Sequence, residues 1–358
     1  MLLLCICSGS RADVEYQERI ERFSQGSYRD ASAPLHTARE YLMQGLNPEV
    51  YGLGPMRLGM KYHSGEIAVQ TRAGVSEDAA EVGEGIVDRV PEAARGFLAL
   101  RRMVVIATVD AGGRVWASVI TGEPGFLSVL DDRNVRIGAL PPEGDPLLEN
   151  IRVEGHVALF IPDLAAPRRI RLNGRGQIKD GEIHVHAEQV YGNCRRYIQE
   201  RLVLGTRASS GAVPVHATRA TQLSPRDRDQ ILRADTFFIA TEHPDAGADA
   251  SHKGGNPGFV RIIDTRRIAF PDYNGNHMFN TLGNLAINPN AGLLFIDFDS
   301  GRTLQLAGRA SIDWNPERAR EFAGAERVVD FEVAEMVTNE NGFPLTVKFR
   351  QYSRFNPA

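Results

Sequence analysis

The stretch "TFFIATEHPDAGADASHKGGNPGFVRIIDTRRIAF" (residues 236–270) repeats, without a gap, the earlier stretch "MVVIATVDAGGRVWASVITGEPGFLSVLDDRNVRI" (residues 103–137). Identical residues recur at one constant offset, and they include the "IAT" and "PGF" triplets of both stretches. Beyond the following loop the offset grows by one, and the matched pairs are Asn150/Asn284, Leu172/Leu306 and Gly174/Gly308. A repeat of this length is the size of a domain rather than of a solenoid unit, so the sequence predicts a duplicated domain.

Both copies follow the same order of predicted elements. Each begins with a helix, at residues 90–102 in copy one and residues 224–234 in copy two. Ser224 followed by Pro225 is typical of a helix N-cap and first helical residue. Short β-rich runs follow, separated by glycine, aspartate and asparagine. This pattern predicts a mainly β fold with flanking helices, in which each copy forms a small antiparallel barrel.

The repeat sets the expected domain boundaries. We expect an N-terminal extension over residues 1–89, in which residues 34–46 look helical. The first barrel is predicted at residues 90–205 and the second at residues 223–358. The stretch between them, residues 206–222, is rich in small and polar residues and reads as a linker.

Composition excludes several classes of function. The chain of 358 residues has a net charge of −4 and no long run of lysine and arginine, so no nucleic-acid partner is expected. No apolar run approaches a membrane-spanning length. Cys5, Cys7 and Cys194 make no disulfide framework, and the apolar start lacks the basic residues of a signal peptide, so we expect the cytoplasm. No metal site is predicted, because His184 and His186 share a strand face without a third ligand.

Copy two resembles the flavin-nucleotide-binding proteins related to pyridoxamine 5′-phosphate oxidase, which share the FMN-binding split-barrel fold. The stretches that carry the resemblance are "SHKGG" (251–255), "PGFV" (257–260), "FPDYNGN" (270–276) and "NPNAGLLF" (288–295). Copy one resembles the same fold more loosely. The resemblance implies two tandem split barrels, FMN on the second, and redox activity on a small molecule with a possible electron-donor reductase. It also implies a homodimer or an intrachain pseudo-dimer, because the flavin in such families lies where two barrels meet.

The chemistry of copy two fits FMN. A phosphate needs N–H donors and cations, and the flavin ring needs an apolar slot with polar groups at its edge. "SHKGG" offers a hydroxyl, an imidazole and an ammonium before two glycines, which let a ligand approach the backbone. A helix start after the asparagine-rich loop is a natural phosphate seat. The predicted cofactor residues of copy two are Ser251, His252, Lys253, Gly254, Phe259, Val260, Arg261, Asp272, Tyr273, Asn276, His277, Met278, Asn280 and Thr281.

One loop departs from the related oxidases. They carry Ser-Arg-Lys for the phosphate where this chain has Asn276, His277 and Met278. Lys253 and Arg261, or a basic residue from elsewhere, would then supply the charge. The same departure argues against pyridoxamine-phosphate oxidase activity itself.

Copy one has a degenerate site but is expected to serve the site of copy two. It replaces "SHKGG" by "SVITG" and gains Glu143 and Asp145, whose charges would repel a phosphate. Its ending, "EQVYGNCRRYIQ" (188–199), resembles the segment that closes related proteins and reaches the partner barrel's cofactor. Its predicted cofactor contacts are Tyr191, Asn193, Cys194 and Arg195, with Arg196 as a further cation.

Alternatives stay open at the level of sequence. A haem or a deazaflavin could occupy the same fold, with His252 or His277 as the axial ligand that haem requires. A non-enzymatic flavin-binding protein is the other alternative, because the sequence shows no dedicated general base. His252 and Tyr273 are the nearest candidates for a catalytic group, and we assign neither.

Overall fold

The computed structural model describes residues 61–151, 155–192, 195–207 and 217–358. The helix predicted at residues 34–46 lies outside these ranges. The described chain is mainly antiparallel β-structure with short flanking helices, as the sequence predicts.

Short helices flank the strands of the described chain. They are Ser64–Ala73 (α1), Ser76–Gly83 (α2), Glu92–Ala99 (α3), Leu147–Asn150 (α4), Pro225–Arg233 (α5), Asn280–Ile287 (α6) and Pro316–Ala319 (α7). Helices α3 and α5 are those predicted before each copy. Ser224 caps α5 by accepting from the backbone N–H of Asp227, whose side chain bonds back to Ser224, so the predicted start is a capping box. None of the described helices is long and apolar enough to cross a membrane.

Each copy of the repeat forms one antiparallel sheet. The strands of the first are Met103–Val109 (β1), Val115–Thr121 (β2), Leu127–Val129 (β3), Asn134–Ile137 (β4), Gly155–Asp163 (β5), Arg168–Lys179 (β6) and Glu182–Gly192 (β7). Those of the second are Thr236–His243 (β10), Gly247–Gly254 (β11), Arg261–Ile262 (β12), Arg267–Tyr273 (β13), Asn290–Ile296 (β14), Thr303–Asp313 (β15) and Ala325–Asn339 (β16). The remaining strands are Glu200–Thr206 (β8), Ala217–Ala220 (β9) and Leu345–Gln351 (β17).

The two sheets have the same topology. The first runs β2-β1-β5-β6-β7-β4-β3 and the second β11-β10-β14-β15-β16-β13-β12, so each strand of one sheet has a counterpart in the other. We call the first sheet with α3, α4 and the segment after β7 (residues 195–207) lobe 1, and the second with β9 and α5 to α7 lobe 2. The described pairings leave each sheet open between its two edge strands. The tandem units are therefore split, twisted sheets around a core rather than closed barrels.

The repeated residues have repeated structural roles. Asn150 donates to Thr108 Oγ1 in lobe 1, and Asn284 donates to Thr241 Oγ1 in lobe 2, both at 3.0 Å. The threonines are the last residues of the two "IAT" triplets. These side chains are hydrogen-bonded inside each lobe, so this part of the motif is structural.

The "PGF" triplets are also structural. In lobe 1 the ring of Phe126 packs over Gly122, where an added Cβ would lie 2.5 Å from the ring. In lobe 2 the ring of Phe259 packs over Gly255 in the same way, at 2.7 Å. Each phenylalanine closes one side of its hydrophobic core over a glycine that leaves room for it.

A glycine marks a β-bulge at the same place in each lobe. The strand register shifts next to Gly174 in the β6–β7 pair and next to Gly308 in the β15–β16 pair. An added Cβ at Gly174 would overlap the carbonyl oxygen of His186, and one at Gly308 that of Glu332. The matched glycines of the sequence repeat are therefore fixed by the close approach of the opposite strand.

The two lobes share a third hydrophobic core between them. Each lobe has its own core, and a further buried cluster joins β1, β2 and β5 of lobe 1 to β10, β11 and β14 of lobe 2. Gln305 of lobe 2 donates to Ser118 of lobe 1 at 2.9 Å. Its repeat counterpart Arg171 of lobe 1 donates to Ser251 of lobe 2, also at 2.9 Å. The contacts across the boundary are thus reciprocal, as a two-fold arrangement of the lobes requires.

The described part of the N-terminal extension packs on both lobes. Val87 forms a β-bridge with Val190 at the edge of lobe 1. Helix α1 lies against α6 of lobe 2, with Gly65 facing Gly283. Residues 217–220, at the end of the predicted linker, form β9 on the β16 edge. The predicted domain boundaries stay a prediction, and the structure adds that these flanking segments belong to the packed body.

Candidate functional site

A cleft opens at the boundary between the lobes, above the start of α6. Its empty volume, counted together with the open solvent at its mouth, is about 840 Å³. Lobe 2 supplies β11, the end of β13 and the loop into α6, while lobe 1 supplies β6 and the segment after β7. The lining residues are Arg169, Arg171, Arg196, Tyr197, Ser251, His252, Lys253, Gly254, Phe259, Pro271, Asp272, Tyr273, Gly275, Asn276, His277, Phe279, Asn280, Thr281 and Leu282.

Most of the residues predicted for the cofactor meet in this cleft. Those that line it are Ser251, His252, Lys253, Gly254, Phe259, Asp272, Tyr273, Asn276, His277, Asn280 and Thr281. Asn193 and Cys194 lie outside the described residues. Arg195 does not line the cleft, whereas its neighbours Arg196 and Tyr197 do.

Four predicted residues lie elsewhere for clear physical reasons. Val260 is fully buried in the core of lobe 2. Arg261 turns outward to Glu321 and stacks on Phe322, so its charge is not in the cleft. Met278 is buried in a cluster with Tyr62 and Ala79 of the N-terminal segment. Tyr191 lies one layer below the cleft wall, with its hydroxyl donating to Asp249 at 3.1 Å.

A glycine is required at position 254 by close packing of two segments, which the sequence does not reveal. We expected its missing side chain to admit a ligand. An added Cβ would instead overlap the carbonyl oxygen of Tyr197 and lie 3.2 Å from Gln199 Nε2. The glycine therefore lets the segment that follows β7 of lobe 1 cross β11 closely, which completes the cleft wall.

Lys253 belongs to a compact charged cluster. Its ammonium lies 2.9 Å from Asp272 Oδ1, and Arg327 Nε donates to the other oxygen of Asp272 at 3.0 Å. Burial opposes the charge of Asp272, but the two cations outweigh it and hold the pKa of this carboxyl below its usual range. Arg327 also pairs with Glu326 at 2.6 Å, so Lys253 is the cation of this cluster that lines the cleft.

The loop into α6 is strained. Among the described residues, the non-glycine residues with positive φ are Tyr197 (65°), His277 (61°), Phe279 (58°) and Asp180 (54°), and the first three line the cleft. Such conformations are held in place by their surroundings and concentrate at functional sites. Phe279 in this conformation starts α6 without a side-chain cap.

The start of α6 offers free donors to the cleft. The backbone N–H groups of Asn280, Thr281 and Leu282 have no acceptor among the residues that the structure describes. All three residues line the cleft. Unpaired N–H groups at a helix N-terminus, together with the helix dipole, favour an anion.

His252 presents an unsatisfied nitrogen. Its ring packs between Phe160 and Phe238, with ring centroids 6.1 and 5.8 Å away. Its Nε2 is buried with no hydrogen-bond partner in the described part of the chain. Burial, reinforced by the charges of Arg169, Arg201 and Lys253, lowers the pKa of this imidazole well below its usual value. His252 is therefore a neutral group with one nitrogen left for a ligand.

A buried polar network supports the wall of the cleft. Arg171 is 2% exposed, and its guanidinium pairs with Asp249 and donates to Ser251 at 2.9 Å and to Asn280 at 3.1 Å. Thr281 Oγ1 joins the network through Ser251 at 3.0 Å. The side chains around the helix start are thereby fixed before any ligand binds.

Sequence reasoning missed two arginines of lobe 1. Arg169 and Arg171 alternate along β6 and line the cleft together. Their spacing in "RRIRL" (168–172) puts them on one face of a strand, which was a usable signal. The sequence could not show that this face meets the other lobe.

At the counterpart of this site in lobe 1, side chains of both lobes are hydrogen-bonded to one another. Ser118 donates to Asp145 Oδ1 at 2.5 Å, and Gln305 of lobe 2 occupies the position that Arg171 has in lobe 2's site. The backbone N–H of Leu147 also donates to Asp145, at 2.9 Å. The carboxyl group of Asp145 thus lies close to Ser118 and the start of α4, and the loss of a cofactor site in lobe 1 stays a prediction.

We expect Asp145→Asn to stabilise the protein near pH 8. Burial raises the pKa of Asp145 to about 6 against the hydrogen bonds that favour its charge. The folded state therefore binds a proton more tightly than the unfolded chain, and stability falls as the pH rises from the unfolded pKa through about 6. An amide retains the acceptor oxygen, so the free energy of unfolding should rise by about 1–3 kcal/mol. Urea denaturation of wild type and Asp145→Asn near pH 8 and near pH 4 measures this difference in the free energy of unfolding.

Two controls accompany the Asp145 measurement. The gain should fall to about 0.5 kcal/mol near pH 4, where the carboxyl is protonated in the folded state and about half protonated in the unfolded chain. Asp132→Asn, at an exposed position of the same lobe, should leave stability unchanged within about 0.5 kcal/mol. An equal gain at acidic and basic pH would contradict the titration of Asp145.

The comparison with known families finds a match in the second copy of the repeat. The sequence profile of the pyridoxamine 5′-phosphate oxidase family matches residues 223–346. No curated protein matches the chain.

Similar solved structures include three bacterial proteins. The HupZ protein of Group A Streptococcus is 15% identical, over 34% of this chain and 98% of its own, with a TM-score of 0.28. A Lactobacillus delbrueckii protein provisionally assigned as a pyridoxamine 5′-phosphate oxidase is 15% identical, over 33% and 94%, with a TM-score of 0.27. The FAD binding protein of Mycobacterium smegmatis is 14% identical, over 33% and 96%, with a TM-score of 0.24. At these identities and TM-scores the three structures do not support a functional comparison. The family match comes from the sequence profile of residues 223–346. By its sequence profile, the second copy of the repeat (residues 223–346) is therefore similar to the pyridoxamine 5′-phosphate oxidase family.

Proposed function

We propose that the protein is a flavoprotein that binds FMN in the cleft between the lobes and acts as an oxidoreductase on a small molecule. The observation that carries the proposal is the donor set of the cleft. Cations from both lobes converge there with the uncapped start of α6. The family of residues 223–346 supports a flavin nucleotide as the anion in question.

The phosphate end of FMN fits the start of α6. Arg171 lies within hydrogen-bond distance of Asn280, the first residue of that helix. Lys253 and Arg196 add charge on the neighbouring walls. Helix N–H groups with cations beside them are the usual environment of a bound phosphate. This set replaces the basic loop of the related oxidases, whose place is taken here by Asn276, His277 and Met278.

The ring end fits the aromatic side of the same cleft. The rings of Tyr197 of lobe 1 and Tyr273 of lobe 2 pack together with their centroids 5.1 Å apart. Phe259 and Leu282 provide apolar walls. The free nitrogen of His252 offers a hydrogen bond to a polar edge of the ring. An apolar slot with a few fixed polar groups is what a flavin requires.

In the proposed site, FMN and the protein chain have separate roles. FMN, when bound, supplies two-electron chemistry. The chain binds the phosphate, orients the ring through the strained loop, and lines the cleft with both lobes so that water is excluded from part of it. A small-molecule substrate would enter from the open mouth of the cleft, and the reductant stays a prediction.

A flavin titration tests the proposal. The purified protein should be yellow and release FMN, or bind added FMN when prepared without it. Lys253→Met should weaken FMN binding about tenfold to hundredfold, because it removes a charged contact worth about 1.5–3 kcal/mol. Asp272 keeps Arg327 as a partner, so this variant should still fold. Quenching of flavin fluorescence on binding gives the dissociation constants.

Arg261→Met is the matched control for Lys253. Sequence reasoning assigned both cations to the phosphate, but Arg261 points away from the cleft toward Glu321. Its replacement should leave FMN affinity unchanged within about twofold. A Soret band in the purified protein would support haem instead. A colourless protein that ignores added FMN would overturn the proposal.

A further inference from the structure

Helix α1 of the N-terminal segment touches α6 through two glycines. An added Cβ at Gly65 would overlap the carbonyl oxygen of Gly283, and one at Gly283 would lie 2.5 Å from Glu66 Cγ. The two helix backbones are therefore as close as the chain permits. This approach brings a residue from outside both sheets next to the first turn of α6.

The residue brought there is Glu66. It is 4% exposed, and its Oε1 accepts from Asn280 Nδ2 at 2.5 Å while its Oε2 accepts from the backbone N–H of His63 at 2.9 Å. Asn280 uses its own oxygen to accept from Arg171 at 3.1 Å. One amide side chain therefore links the carboxyl of Glu66 to the guanidinium that lines the cleft.

The charge of Arg171 is shared between two carboxyl groups. Asp249 pairs with it directly, and Glu66 acts on it through Asn280. Burial, together with the nearby charge of Asp249, raises the pKa of Glu66 to about 8 against the hydrogen bonds from His63 and Asn280, so Glu66 is mostly neutral at neutral pH. The titratable and charged groups that interact with it are Tyr62, His63, Arg171, Tyr191 and Asp249, and His243 packs against the ring of His63.

We propose that Glu66 is a positioning residue of the cofactor site, which holds Asn280 in place and sets the positive charge that an anionic cofactor meets at Arg171. The inference rests on the proposed function. A neutral Glu66 leaves Arg171 with one carboxylate partner and a share of its charge for the phosphate. A deprotonated Glu66 adds a second negative charge to the same network and opposes the phosphate.

FMN binding at two pH values tests this role. The wild-type protein should bind FMN roughly tenfold more weakly near pH 9 than near pH 7, because Glu66 loses its proton between them. Glu66→Gln keeps the shape and the hydrogen bond to Asn280 but cannot ionise, so its affinity should be nearly equal at both values. Glu77→Gln removes an exposed carboxylate from the neighbouring helix α2 and should behave like wild type.

A second measurement needs no cofactor. A buried carboxyl whose pKa is raised on folding destabilises the folded state as the pH rises through that pKa. In the absence of FMN, the denaturation midpoint of Glu66→Gln should therefore exceed that of wild type near pH 9, and the difference should shrink near pH 5. The same melts show whether the variant is folded.

The outcomes separate the two proposals. A wild-type pH dependence that persists in Glu66→Gln would overturn the role of Glu66 and leave FMN binding intact. Equal midpoints of wild type and Glu66→Gln near pH 9 would also overturn it. Failure of the wild-type protein to bind FMN at either pH would overturn the proposed function, and this inference with it.

Discussion

Replacing Gly308 with alanine is expected to lower the free energy of unfolding by about 3–5 kcal/mol. The added methyl group would overlap the carbonyl oxygen of Glu332 and lie 2.8 Å from the ring of Phe331. Because the carbonyl oxygen of Glu332 is a backbone atom of the paired strand, no side-chain rotation can relieve this overlap. The β15–β16 pair, which passes through the core of lobe 2, would have to separate or shift its register.

Gly96→Ala provides the control for this effect. Gly96 lies within α3, and an added Cβ would meet nothing within 4 Å. The same change should therefore stabilise the protein by about 0.5–1 kcal/mol, because alanine is the better helix former. Urea denaturation of both variants gives the comparison. A Gly308→Ala protein within about 1 kcal/mol of wild type would show that the bulge does not need the glycine.

Replacing Arg171 with methionine is expected to cost about 3–5 kcal/mol of stability. Methionine fills much of the same space but leaves the carboxylate of Asp249, which is 3% exposed, without its cation. Only the hydroxyls of Tyr191 and Ser251 and a long contact from Asn173 would remain for it. A buried charge without a partner is far more costly than the pair is favourable.

Two further variants decide whether the cost comes from the stranded charge. Arg233→Met breaks an ion pair whose side chains are 66% and 59% exposed, and it should cost less than about 1 kcal/mol. The double variant Arg171→Met with Asp249→Asn should recover part of the loss, because the amide carries no charge. If the double variant is as unstable as the single one, the loss comes from packing instead.

The sequence reveals more about the role of Gly308 than about the role of Arg171. Gly308 matches Gly174 in the aligned repeat, and the structure shows that both are bulge glycines. A repeated glycine reports a backbone constraint that acts within one lobe, so alignment alone could find it. Arg171 has glutamine as its counterpart in copy two, and nothing local indicates that it faces Asp249 of the other lobe.

The candidate site also contains residues that the sequence located correctly, whereas another predicted residue lies elsewhere. Lys253, Asp272 and Tyr273 were predicted from motifs near one another in sequence, and they line one cleft because β11 and β13 border it. Arg261 follows the same motif but lies on the opposite side of its strand, facing Glu321. A residue's neighbours along the chain did not reveal which side faced the ligand.

The sequence by itself determined the duplication, the mainly β fold, the helix starts and the recurrence of the glycines that the structure places at the bulges. These features depend on short-range geometry that each copy repeats, so the pattern of residues reports them directly. Only the tertiary structure decided that the arginines of β6 face the second lobe and that Glu66 reaches the start of α6. The physical reason is that these contacts form when whole sheets and helices pack, and their partners lie far apart in sequence.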